Sequence, residues 1–310
     1  MDAVSALLDG PHARGAFLLR SLLSPPWSMR IADEAPLTLL AVLHGSAWVV
    51  LADGRTEHIG AGDVALVRGP RHYTVADEPS TPPQVSVGPG QECTPVGSGT
   101  GMAELGTRAW GNDAAGGTVL LTGTYPQPGA VGERLVRALP PLVVVPADEG
   151  TAAVTRLLAA EVAREAPGQE AVLDRLLDVT LVSALRVWAA RPEARAPGWY
   201  VAAGDPVVGP ALTLLHDRPA EPWTVASLAD AVGVARATLA RRFTELVGEP
   251  PMSYLTSWRI ALATDLLRDR SLTLSGIAHR VGYASPFALS TAFKRATGVS
   301  PAAHRATLAS

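Results

Sequence analysis

Two stretches of this chain, about fifty residues apart, carry the same pattern, and that repeat limits the fold more than any other feature. The first runs from Thr224 through Leu228, Ala229 and Val232 to Gly233, then on to Leu239 and Phe243. The second runs from Thr273 through Ile277, Ala278 and Val281 to Gly282, then on to Leu289 and Phe293. In each copy the first three apolar residues fall on one face of a short helix. The glycine sits where a helix ends in a left-handed residue, and a second apolar stripe at helical spacing follows. Each copy therefore predicts a helix, a tight turn and a second helix. This is the helix-turn-helix unit, whose second helix lies in a DNA major groove. In the first copy Arg236, Arg241 and Arg242 put positive charge on that helix's outer face. Ser253 to Arg268 reads as one long amphipathic helix that holds the two copies at a fixed separation.

The repeat closes on Ala292-Phe293-Lys294-Arg295 and, three residues later, Gly298-Val299-Ser300-Pro301. On these residues, roughly the last hundred of the chain resemble the DNA-binding domain of AraC/XylS-type transcription regulators. The resemblance implies double-stranded DNA as a partner, and RNA polymerase if the output is activation. Carried across residue by residue, the base-facing positions of the first recognition helix fall on Ala237, Ala240 and Arg241. Arg241 is the expected main reader, because arginine pairs bidentately with guanine. Arg236 and Arg242 are expected against phosphate, which sets affinity but not sequence, or in surface pairs with Glu245 or Asp230. The second set falls on Pro286, Phe287, Ser290 and Thr291, with the basic pair Lys294 and Arg295 following. Thr291 stands where many relatives carry arginine, so the second unit should discriminate less sharply. Ala235 replaces the serine that usually caps the first recognition helix, at a cost of about 1 kcal/mol.

At 310 residues, two domains are expected rather than one. The net charge of −3 hides a split. From Asp205 onward there are 11 Lys and Arg against 8 Asp and Glu, net +3; the first 204 residues hold 15 against 21, net −6. An acidic half before a mildly basic one fits a sensor joined to a DNA reader. Cys93 is the only cysteine, which excludes an internal disulfide and a cysteine-based zinc site. No stretch resembles a signal peptide or a membrane span, so a cytoplasmic protein is expected.

From Gly15 to about Pro126 the texture is one of short apolar runs broken by Gly, Pro and Asp. Strands are expected at 16–23, 37–43, 47–51, 63–67, 72–75, 84–87 and 118–122, a number and spacing that imply a sandwich or barrel. Gly60-Ala61-Gly62-Asp63-Val64, with Gly69-Pro70-Arg71-His72 after it, resembles the second half of a cupin motif. The His-x-His and glutamate of the first half are missing. A metal would need three or four convergent ligands, and nothing in their spacing forces His44, His58 and His72 together, so neither metal nor cofactor is expected. A small-molecule effector inside the barrel is the better reading, with Trp27, His44, Trp48, His72, Tyr73 and Trp110 as candidate contacts. Cys93 reads as an inert small side chain or a redox sensor.

Helices are expected over 151–165 and 169–190. The second is apolar over too wide a surface for one seam, which suits a homodimer interface as well as packing within the monomer. Arg191 to Asp205 reads as a linker. The expected fold is therefore α+β: a cupin-like jelly-roll β-barrel sensor (1–146), a helical dimerisation and linker region (147–204), and an all-α double helix-turn-helix domain (205–310). Together the two halves resemble an AraC-type regulator with a cupin-like sensor. Two other readings stay open: a metal-dependent cupin enzyme with vestigial DNA binding, and a constitutive DNA-binding regulator whose barrel is purely structural.

Overall fold

The computed structural model describes residues 17–97, 102–125, 129–191 and 198–307. Residues 1–10, whose sequence reads as a short helix ending at Gly10 and Pro11, lie outside them. The described residues form two compact units, one built from 17–125 together with 136–191, the other from 129–135 and 198–307.

The first unit is a sandwich of two sheets rather than a closed barrel. One sheet has seven strands in the order β10 (Ala103–Gly106), β11 (Ala109–Gly111), β1 (Phe17–Leu23), β12 (Thr118–Tyr125), β3 (Leu37–His44), β6 (Val64–Arg68), β13 (Leu142–Val145). The other has six: β5 (Thr56–Gly60), β4 (Ser46–Leu51), β7 (Tyr73–Ala76), β2 (Ser28–Ile31), β8 (Val85–Val87), β9 (Cys93–Pro95). The inward residues Met29, Leu40, Val42, Val49, Val67 and Val75 fill the space between the sheets, which is the alternation a two-sheet core requires. Leu142–Val145, whose sequence after Pro140-Pro141 reads as a connector, pairs instead with β6 as an edge strand.

Strand β3 is buried along nearly its whole length, because helices cover its outer side. These are α2 (Glu149–Val162) and α3 (Gln169–Ala189), which pack on each other and on the seven-stranded sheet. Where α3 crosses β12, a Cβ on Gly123 would lie 2.6 Å from a Leu177 methyl. Glycine is the residue that lets helix and strand approach this closely. Beside it the buried Tyr125 hydroxyl donates to the Leu177 carbonyl oxygen at 3.0 Å. The glycine-aspartate turn has a structural role of its own: Asp63 accepts from the Gly60 amide at 2.8 Å and the Ala147 amide at 2.8 Å.

The second unit is all helical. Its beam is α8 (Pro251–Leu266). Before it come α4 (Gly198–Ala203), α5 (Val208–Asp217), α6 (Val225–Ala231) and α7 (Arg236–Val247); after it come α9 (Leu274–Arg280), α10 (Pro286–Thr297) and α11 (Pro301–Thr307). The beam is not amphipathic as expected. It buries Tyr254 and Leu255 in the core of the first helix-turn-helix and Ile260 and Ala263 in that of the second. Trp258 and Ala261 pack against Val131 of α1 (Gly129–Ala138). A helix serving several partners is apolar on more than one side. The start of α1 is held by Asp265, which accepts from the Ala130 and Val131 amides at 2.7 and 3.1 Å. Its Arg134 donates to Ser257 Oγ at 2.8 Å. Part of the expected linker, Gly198–Ala203, is helical and packs on α7 and α5.

Candidate nucleic-acid interface and sensor cavity

The two helix-turn-helix units are α6–α7 and α9–α10, each turning at a glycine with positive φ, Gly233 at 73° and Gly282 at 83°. Each first helix is capped by threonine. The Thr224 side chain accepts from the Ser227 amide, with the reciprocal bond also present, and the Thr273 side chain accepts from the Gly276 amide. Such caps satisfy amides that a helix's first turn leaves open. Leu239 and Phe243 of α7, and Leu289 and Phe293 of α10, are fully buried against their partners.

Arg259 on the beam holds the units in register. Its Nε donates to the Pro219 carbonyl and its Nη2 to the Glu221 carbonyl, both at 2.7 Å, just ahead of α6. The same guanidinium lies 6.0 Å from the Tyr283 ring centre, in the turn of the second unit. A Cβ on Gly282 would come within 2.7 Å of Ala220 Cα and 2.8 Å of Arg259 Nη2. That glycine therefore serves both the turn and the contact between the units.

On α7, Arg236, Ala237 and Arg241 are exposed, and Ala240 is half-buried. Arg241 Nη1 donates to both Glu245 carboxylate oxygens, at 2.9 and 3.0 Å. This is a surface i,i+4 pair of the kind that contributes little and opens readily. Arg242 is differently placed: Nε and Nη2 are bound by Asp205 at 2.6–3.0 Å. Its guanidinium is thus engaged inside the domain, where phosphate contact was expected. On α10, Pro286, Phe287, Thr291, Lys294 and Arg295 are exposed, and Ser290 is half-buried. Phe287 is 81% exposed. The Ser285 side chain accepts from the Ala288 amide at 3.1 Å, so the second recognition helix has a side-chain cap. Ala235 gives the first one none.

The candidate sensor residues are scattered. Tyr73 and Trp110 line a slot between the two sheets, together with Asp33, Gln91 and apolar neighbours. Trp27 is fully buried in the core and outside the lining of this slot. Trp48 falls on the outward phase of β4, where its ring meets His58 edge-on at 5.0 Å. His44 is exposed at the end of β3, and exposed His72 has Arg30 Nη2 at 3.4 Å from Nδ1. Among the described residues no three His, Cys, Asp or Glu side chains are grouped to hold a metal. Ser21 and Thr122 also line the slot, and their signal in sequence was a polar residue at an inward position of an otherwise apolar strand. Cys93 lines it too, exposed and hydrogen-bonded within its own turn, with burial raising its thiol pKa.

Two helix-turn-helix units on a shared beam, together with a two-sheet sandwich, define a DNA-binding regulator with a sensor domain. Residues 2–190 match the family described as Cupin, and residues 228–307 the family described as Helix-turn-helix domain. A putative AraC-like transcription regulator of Streptomyces lividans is 36% identical over 289 residues, covering 90% of each chain. The HTH-type transcriptional regulator AlkR of Acinetobacter baylyi is 28% identical over 317 residues, covering 98% of this chain and 99% of its own. Among solved structures, the DNA-binding domain of AdpA in complex with a target DNA matches 34% of this chain and 93% of its own. The identity there is 35% and the TM-score 0.32. The chain belongs to the AraC family of transcription regulators: it is a DNA-binding regulator with an N-terminal cupin-like ligand-binding domain. Among the described residues, no helix is long and apolar enough to cross a membrane.

Proposed function

We propose that this is a cytoplasmic, ligand-responsive regulator that binds a small molecule between its two sheets and reads DNA through α7 and α10. Arg241 is its principal base reader, Arg236, Lys294 and Arg295 supply phosphate contacts, and Phe287 adds an apolar contact. Arg242 leaves the reading set because Asp205 occupies it. The observation that carries the DNA reading is the pair of recognition helices, matched in register, with exposed arginines on one and an exposed phenylalanine on the other. The ligand reading is supported by the slot and by the buried polar groups that face it.

The protein acts as a homodimer through α2 and α3. Leu157, Val172 and Val179 on these helices are 60%, 44% and 48% exposed, a set of large apolar side chains that a partner copy would cover. Any activation would then proceed through contact with RNA polymerase. The test is selection from randomised duplexes by the full-length protein, followed by affinity measurements at fixed salt for wild type and Arg241→Ala. An enriched motif whose strongest position is lost in the variant is expected; no enrichment would overturn the reading. Leu157→Glu with Val179→Glu should shift sedimentation from dimer to monomer, and an unchanged dimer would place the interface elsewhere.

A further inference from the structure

The slot between the sheets has a chemical character that limits what it accepts. Its walls are Leu19, Met29, Ile31, Leu40, Val75 and Trp110, with other apolar side chains beside them. Among the described residues no Lys, Arg or His lines it, and the one charged group is Asp33. That carboxylate already accepts from the Ala35 amide at 3.1 Å and from Gln91 Nε2 at 3.0 Å. An anionic ligand would thus enter an apolar slot with no counter-charge and with Asp33 facing it. An ammonium would have to share Asp33 with the Ala35 and Gln91 amides. Burying a charge unpaired is strongly unfavourable.

Tyr73 supplies the attraction. It is 5% exposed and lines the slot, yet its hydroxyl has no hydrogen-bond partner of normal geometry among the described residues. Burial raises its pKa far above the ordinary value, opposed in part by the neighbouring Thr38 side chain, so it stays protonated and able to donate. Buried polar groups in folded proteins are almost always satisfied, so a hydroxyl open towards a cavity suits a ligand acceptor. The cavity volume is about 40 Å³. That exceeds the ~10–15 Å³ one water needs and is far below the ~300 Å³ at which sites for bulky ligands begin. Met29, an adaptable side chain, forms part of the wall.

From these features we infer that the slot takes a slender, uncharged, mostly apolar molecule bearing one oxygen acceptor, such as a short-chain alcohol or ketone, anchored by the Tyr73 hydroxyl. The inference rests on the ligand-responsive reading above and names its ligand class. The experiment is ligand-observed NMR and calorimetry on the full-length protein with four probes: 1-hexanol, 2-hexanone, hexanoate and hexylamine. Binding is expected for the first two alone. Tyr73→Phe keeps the ring and removes only the hydroxyl, so its melting temperature should change little. It should weaken both neutral probes about fivefold, the size of one neutral hydrogen bond. Equal or tighter binding of hexanoate or hexylamine overturns the neutral class while leaving the slot as an effector site. Undiminished binding by Tyr73→Phe overturns the anchor. Failure of all four probes at millimolar concentration overturns both this inference and the slot as a ligand site.

Discussion

Asp205 joins the start of the helical domain to its first recognition helix by gripping Arg242. The guanidinium donates to the carboxylate through Nε at 3.0 and 2.9 Å and through Nη2 at 2.6 Å. The same carboxylate accepts from the Val207 and Val208 amides at 2.9 Å each, at the start of α5. Asp205→Ala removes both roles and should cost about 1–2 kcal/mol in urea unfolding, the upper range of a lost helix cap. Arg242→Ala should likewise destabilise the domain while leaving the salt dependence of DNA binding unchanged. Arg236→Ala, which removes a proposed phosphate contact, should reduce the slope of log affinity against log salt by about one.

The same pair sets a pH dependence. Hydrogen bonding from Arg242 lowers the Asp205 pKa from 3.8 to about 2. A carboxyl whose pKa is lower folded than unfolded adds stability that is complete above the unfolded value and lost as pH falls through the folded one. The stability difference between wild type and Asp205→Asn should therefore be constant above about pH 5 and shrink between about pH 4 and pH 2. A difference that stays constant down to pH 2 would show that the carboxylate's charge contributes nothing.

The Arg241–Glu245 pair makes a different prediction, because both side chains are more than half exposed. Its free energy is at most about 1 kcal/mol, so DNA can outcompete it. Glu245→Gln should tighten DNA binding by a factor of about two to five, by releasing the arginine and removing a negative charge. Arg241→Ala should lose about 1–3 kcal/mol of discrimination at one base pair. Fluorescence anisotropy on selected duplexes and their single-base variants reads both effects.

How much of this was legible in the sequence depended on whether the deciding contacts were local. The glycines at 233 and 282, the threonine caps and the apolar stripes act within a few residues of one another, so the repeat could be read directly. The Asp205–Arg242 pair spans 37 positions and has no local signature, which is why Arg242 looked free for phosphate. The sandwich shows the same limit. Strands with strong alternation were evident, but Leu142–Val145 joins its sheet only through pairing with Val64–Val67, almost eighty positions earlier. Tyr73 and Trp110 were legible as candidates because both are aromatic residues beside strands. Asp33 reaches the slot from a loop and Gln91 from the end of a single 3-10 turn, Pro89–Gln91, and segments this short leave no period to read.

The two recognition helices differ at their first residues in a way that can be corrected by one substitution. Ser285 caps α10, whereas Ala235 holds the same position ahead of α7 in extended geometry, φ −65° and ψ 142°, with no side-chain oxygen. Ala235→Ser should therefore stabilise the protein by about 1 kcal/mol, with a range of about 0.5–2. Hydrogen exchange at the first turn of α7 should slow correspondingly. Exchange there that is unchanged would mean that another group already satisfies those amides.

Phe287 is proposed to give the second unit its own means of discrimination. It is 81% exposed, directly after Pro286 and within the turn fixed by Ser285. Thr291 Oγ1 donates to the Phe287 carbonyl at 3.1 Å, which occupies that hydroxyl's proton. An aromatic ring in this position has one apolar partner in the major groove, the thymine methyl. Replacing thymine by deoxyuridine, one position at a time, removes only that methyl. Wild type should lose about 0.8 kcal/mol at one position, the value of a buried methyl-sized group, or roughly a fourfold drop in affinity. Phe287→Ala should bind more weakly overall and be indifferent to the same replacement. Because the side chain is exposed, its removal should change folding stability by less than about 0.5 kcal/mol, so any loss of binding belongs to the DNA contact. Equal sensitivity to deoxyuridine in wild type and variant would assign the methyl contact to another residue and leave Phe287 without a reading role.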